Sequence, residues 1–215
     1  GYGVEGGGYI PPVFTEFHWD PPATTARRFD IAAANAALDA AGYARGGDGI
    51  RVDPASRRPL ALRLISHANQ TWDAQSAPYI KGWLGELGIT VDVQAVSDDL
   101  INQATTAGNF DLAYSGWNTN PDPDYVLSLQ TCASRPNAQG TGATPDSFFC
   151  DADYDALYAQ QLTEMDRAKR ADLVRKMQER LYDQVPVVIL GYDNALEAYR
   201  KDRFASFQVS PDPGG

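Results

Sequence analysis

Between residues 29 and 114 the apolar positions switch repeatedly between a helical period and strict alternation. Asp30 suits an N-cap; Ile31, Ala34 and Leu38 follow one helical face, and Gly42 stands where a C-cap belongs. Gly49–Val52 and Leu60–Ile65 read as strands, joined as a hairpin by the Pro-containing Asp53–Pro59. Ser76 ahead of Pro78 suits a helix start, with Ile80, Leu84 and Leu87 as its apolar stripe. Ile89–Val96 alternates as a strand with one buried face. Ser97 then caps a helix whose first turn is acidic and whose Leu100, Ala104 and Ala107 face inward. Phe110–Tyr114 completes a β-α-β-α-β run. Such a run predicts an α/β lobe with a mixed, mostly parallel sheet flanked by helices.

The flanking regions are less periodic. Residues 1–27 are rich in Gly and Pro and read as an extended, loop-like opening. Asp122-Pro123-Asp124 starts a helix through Leu129. Asp153–Leu162 and Asp166–Leu181 read as two more, the second carrying Ala168, Leu173, Met177 and Leu181 and an i,i+4 pair of Asp172 with Lys176. Val185–Leu190 reads as a buried strand and Ala195–Tyr199 as another, ahead of a tail at 205–215 that frays from Ser210.

At 215 residues the chain suits one large domain, or one lobe of a two-lobe protein. Its net charge is −10, with scattered acids and no basic run, which argues against nucleic acid and anionic membrane as partners. No apolar run approaches the roughly 20 residues that span a bilayer. The opening Gly1-Tyr2-Gly3 reads as the middle of a fold, so a piece of a longer protein is expected. Cys132 and Cys150 flank one irregular loop. They read as a single disulfide staple rather than as two unrelated thiols, which would place the protein outside the cytoplasm. Two Cys and two distant His have no zinc-ligand spacing.

The candidate chemistry gathers where strands end. The stretch NFDLAYSGWNTNPDPDY (109–125) runs from a short apolar strand into a turn of Trp, Asn and Thr. Groups just past a strand's carboxyl end are where α/β proteins hold small molecules. Trp117, Asn118, Thr119 and Asn120 are therefore candidate ligand contacts. The structural alternatives are that Trp117 packs between layers and that its neighbours merely form the turn. Ser66, His67, Asn69 and Gln70, after the strand 60–65, are a second candidate wall; an exposed loop histidine is the alternative for His67. Asp122 and Asp124 read as charge at the start of the next helix rather than as metal ligands, and His18 reads as surface. There is no Gly-x-Ser-x-Gly elbow and no P-loop, so catalysis is not expected, and no cofactor is implied.

Taken in order, several segments resemble one family. These are RFDIAAANAALDAAGY, GGDGIR with PLALRL, YIKGWLGELGITVDVQAV, NFDLAYSGWNTNPDPD and MDRAKRADLVRKMQERLYDQVPVVIL. Over about residues 8–205 the chain is similar to the C-terminal lobe of the family 5 solute-binding proteins of bacterial ABC importers for peptides, dipeptides and nickel. The resemblance implies an extracytoplasmic, lipid-anchored, two-lobe receptor with 1–215 as its single C-terminal lobe. Its partners would be a small solute or peptide, the N-terminal lobe and a membrane permease. In peptide-binding relatives the turn after Gly-Trp carries an acidic residue for the ligand's ammonium group; here Asn120 stands there. In some relatives an Arg binds the peptide carboxylate where His67 is the nearest equivalent. Asn offers no charge, which points toward a neutral solute, a blocked or modified peptide, or a sugar. The rival readings are an extracellular hydrolase with an unrecognised site and a protein-interaction module.

Overall fold

The computed structural model describes residues 3–136, 147–194, 196 and 198–206. Its contacts divide the chain into two units, Arg27–Ser115 and the pairing of Gly1–Ala26 with Gly116–Gly215.

The unit 27–115 is built on three parallel strands in the order β3-β2-β4: β2 (Ala61–His67), β3 (Thr90–Val96) and β4 (Leu112–Ala113). Leu64, Ile89, Val91 and Tyr114 form the buried side of this sheet, with Ala77 of a covering helix packed among them. The strand expected over 110–114 shortens to two residues at one side-chain contact. The Asp111 carboxylate accepts the Arg63 backbone N–H at 2.8 Å, in place of a ladder carbonyl. Pairing resumes beyond β4, where Tyr114 N–H donates to the Ile65 carbonyl.

Helix α1 (Ile31–Ala40) starts as expected, with Asp30 Oδ1 accepting the Ala33 N–H at 2.8 Å, and Gly42 follows its end at φ +86°. The expected hairpin over 49–65 is reduced to two isolated antiparallel bridges, Arg45 with Arg51 and Val52 with Pro59. Helix α2 (Thr71–Glu86) begins earlier than the expected start at Ser76, and Pro78 lies inside it. Asp73 adds favourable charge to the first turn, and Pro78, a turn further on, removes one helix hydrogen bond. In α3 (Asp98–Ala107) the inward residue is Ile101. Leu100 is 52% exposed and Ala107 is exposed, so the inward stripe is shifted by one position from the expected one.

In the other unit, α5 (Ala152–Thr163) and α6 (Arg167–Gln184) pack with α4 (Asp124–Ser128) around Leu127, Tyr154, Val174, Met177 and Leu181. The opening residues, expected as an extended loop, supply Ile10, Phe14 and Phe17 to this core. Buried Gln178 holds them there. Its Oε1 accepts the Ile10 N–H at 3.0 Å and its Nε2 donates to the Phe17 carbonyl at 2.6 Å. His18 is not a surface residue: its Nδ1 meets the Ile10 carbonyl at 2.6 Å, and its Nε2 lies 3.0 Å from Asp20. Gly8 is required by close approach, since a Cβ there would come within 1.9 Å of the Trp19 carbonyl oxygen.

Strand β1 (Gly3–Glu5) pairs antiparallel with β5 (Gly191–Asp193). The buried strand expected over 185–190 does not form. Val185 ends α6 in the left-handed region at φ 54°, and Val188 and Leu190 are exposed, so pairing begins only at Gly191. Asp172 pairs with Arg175 at i,i+3 rather than with Lys176. The strand expected over 195–199 lies partly outside the described residues, and Leu196, Ala198 and Tyr199 carry no strand pairing. Most of the tail, 207–215, lies outside them altogether. Cys132 and Cys150 form the expected disulfide, closing a loop of 18 residues of separation that stabilises by roughly 3 kcal/mol in the chain-entropy picture.

Candidate functional site

The turn after β4 stands open to solvent. Trp117 is 38% exposed, Asn118 and Asn120 are exposed, and Thr119 is buried at 7%. Tyr125, which the sequence did not single out, is 49% exposed and meets Trp117 edge-to-face, with ring centroids 5.9 Å apart. The pair forms an aromatic ledge beside two amide side chains. Such a surface combines apolar area with orienting hydrogen-bond groups.

Charged groups behind the turn hold it in place. Arg170 of α6 makes a bidentate pair with Asp122 at 2.8 Å for both bonds, and its Nε donates to Gln161. Gln161 in turn donates to Asp124 at 2.9 Å, and Asp122 accepts the Asp124 N–H at 3.0 Å. The Arg170 guanidinium also lies 5.5 Å from the centre of the Phe17 ring. Both aspartates therefore serve the start of α4. Tyr158, also near Asp124, is pushed up to about 12, by burial first and then by that carboxylate's charge. Arg170 lies far along the chain from Trp117, and no local pattern marks it.

These pairs set an acid limit. The hydrogen bonds from Arg170 hold Asp122 below the ordinary aspartate value, and those from Arg180 do the same for Asp151, the N-cap of α5. A carboxyl depressed by folding contributes stability that is fully present above the unfolded value of about 3.9 and is lost as pH falls through the lower folded value. The urea midpoint of the chain is expected to fall as pH is lowered from 5 to below 3. Combining Asp122→Asn with Asp151→Asn should blunt that fall, and an unchanged slope would contradict the assignment.

The second predicted wall is arranged differently from the expectation. Ser66 and His67 are the last residues of β2 rather than the first of a loop, and Ser66 is buried at 3% beside Leu64 and Ile65. Asn69 and Gln70 are exposed. Asn69 donates to Asp98 at 3.1 Å, and Gln70 is the N-cap residue of α2. The His67 side chain is 22% exposed, with Nδ1 2.7 Å from Asp73 Oδ2. Asp73 is a further candidate beside this wall, and the sequence marks it only as an acid six positions after the histidine, in a helix's first turn.

An open hollow of about 580 Å³ elsewhere in the 27–115 unit is lined by Asn35, Asp39, Gly42, Ala44, Arg45 and Arg51. It shares no residue with either candidate wall. The five N–H groups of Arg51 already meet Leu87 O, Asp39, Tyr43 O and, twice, Asn35. The hollow is a structural knot, with little donor capacity left for a ligand.

Polar groups just past the carboxyl ends of parallel strands are where α/β proteins hold small molecules. Residues 1–138 fit the model of bacterial extracellular solute-binding proteins, family 5 Middle, and the chain belongs to that family. The family places the chain outside the cytoplasm, and no helix among the described residues is long and apolar enough to cross a membrane. The chain is 26% identical over 140 residues to di/tripeptide-binding protein 4 of Pseudomonas aeruginosa, covering 64% of this chain and 25% of that protein. It is 25% identical over 191 residues to the glutathione-binding protein GsiB of Pectobacterium atrosepticum, covering 86% and 34%. Its fold is similar to that of the oligopeptide-binding protein of Thermus thermophilus solved with a pentapeptide. There the TM-score is 0.77 at 19% identity, over 89% of this chain and 34% of that one. The chain thus spans a quarter to a third of the length of these relatives.

Proposed function

We propose that the chain is the C-terminal lobe of a two-lobe, non-catalytic receptor that captures a peptide or similar small polar solute and delivers it to an ABC permease by hinge closure. The observation that carries this reading is the solvent-open ledge of Trp117 and Tyr125 beside Asn118 and Asn120, in a chain of this family. Trp117, Asn118 and Asn120 are solute contacts offered by the unit that holds α4, α5 and α6, and His67, Asn69 and Gln70 are solute contacts offered by the unit 27–115, each turn taken by itself. Ser66 and Thr119, being buried, shape the backbone beneath those contacts. The peptide-binding names of the relatives support a solute with peptide character. The uncharged Asn120 disfavours recognition of a free ammonium group and favours a capped or modified end. The N-terminal lobe supplies the opposing contacts, and a lipid anchor holds the full-length receptor at the membrane. Closure is favoured because only the closed form makes both sets of contacts.

Small-angle scattering of the full-length receptor tests this reading. Its radius of gyration should contract when a mixture of short peptides, free and amide-capped, is added. No contraction with any peptide, together with hydrolysis of one of them, would favour the hydrolase reading instead.

A further inference from the structure

Resting on that placement of His67 as a solute contact, we infer that Asp73 is a positioning residue: it fixes the His67 proton on Nδ1, so that the ring presents an unprotonated Nε2, a hydrogen-bond acceptor, to the solute. Two bonds converge on one oxygen. Asp73 Oδ2 accepts the His67 backbone N–H at 2.8 Å and lies 2.7 Å from His67 Nδ1. The Asp73 side chain is only 7% exposed and stands in the first turn of α2, where the helix end favours negative charge. A carboxylate so placed is an acceptor, so the proton in the short contact belongs to Nδ1.

In the neutral ring the lone pair is then on Nε2, which has no hydrogen-bond partner among the described residues. Nearby, Ser76 and Tyr114 satisfy each other at 2.6 Å and make no hydrogen bond with the dyad. A histidine held in this tautomer selects a solute that brings a donor, such as a terminal amide, over one that brings a bare carboxylate.

Long-range proton–nitrogen correlation of the histidine rings, recorded on this chain where His67 is neutral, decides the tautomer. His67 should show a protonated Nδ1 and a pyridine-type Nε2. In Asp73→Asn the populations should move toward the Nε2-protonated form. A wild-type ring protonated on Nε2, or an Asp73→Asn spectrum unchanged from wild type, would overturn the inference. If the Asn variant does not fold, the wild-type spectrum alone decides.

Calorimetry on the full-length receptor, with trialanine amide and trialanine acid as probes, supplies the second arm. The preference for the amide should be about tenfold and should be lost in both His67→Gln and Asp73→Asn. Loss in His67→Gln with no change in Asp73→Asn would overturn the positioning role. If neither variant alters binding of either peptide while the spectrum holds, the error lies in the placement of His67 at the solute site.

Discussion

Arg51→Ala is expected to lower the stability of the 27–115 unit by about 3–5 kcal/mol, read as the urea midpoint of the isolated chain. The guanidinium is 1% exposed and joins three segments: α1 through Asn35 and Asp39, the turn after it through the Tyr43 carbonyl, and the end of α2 through the Leu87 carbonyl. Its partner Asp39 is 65% exposed, so the ion pair itself contributes little. The cost comes from the carbonyls. Truncation leaves the Leu87 and Tyr43 carbonyls without their Arg51 donors, while Asn35 Oδ1 keeps its bond from Arg45, and it removes a well-packed side chain. Arg51→Lys should recover only a minor part, because an ammonium has three donors where the site uses five. A loss below about 1 kcal/mol in the alanine variant would show that the carbonyls find other partners.

Trp117→Ala in the full-length receptor should weaken solute binding by about 30-fold, with thermal stability nearly unchanged. Covering the exposed 38% of the indole in the closed form is worth roughly 2 kcal/mol at about 25 cal/mol per Å². Stability should change little because the turn is held from behind by Arg170, Asp122, Gln161 and Asp124, none of which needs the indole. Tyr125→Ala should cost less, since that ring meets the indole by its edge.

The regular parts of the fold were legible because local chemistry and periodicity agreed. Asp30 caps α1 and Asp166 caps α6 by bonds within their own helices, and Ile80, Leu84 and Leu87 line up on the sheet as their spacing requires. What was not legible depends on partners far along the chain. Ile10, Phe14 and Phe17 have no period and sit among prolines, and Gln178, more than 160 positions away, ties the Ile10 and Phe17 backbone to α6. Asp111 shortens β4 by bonding Arg63, and Pro78 is tolerated inside α2, neither of which a propensity rule reveals. The candidate site divides in the same way. Trp117 and its amide neighbours stand out as an aromatic and polar run after an apolar strand, whereas Tyr125, Arg170 and Asp73 become visible only through their contacts.

The most direct test is a paired titration of the full-length receptor with a peptide that it retains on purification. Trp117→Ala is compared with Trp83→Ala, a change at another partly exposed indole, toward the far end of α2 from Gln70. The expected result is a Kd raised about 30-fold in the first variant and unchanged in the second. Equal Kd values for wild type and Trp117→Ala, with both proteins folded, would mean that solute is held somewhere other than this turn.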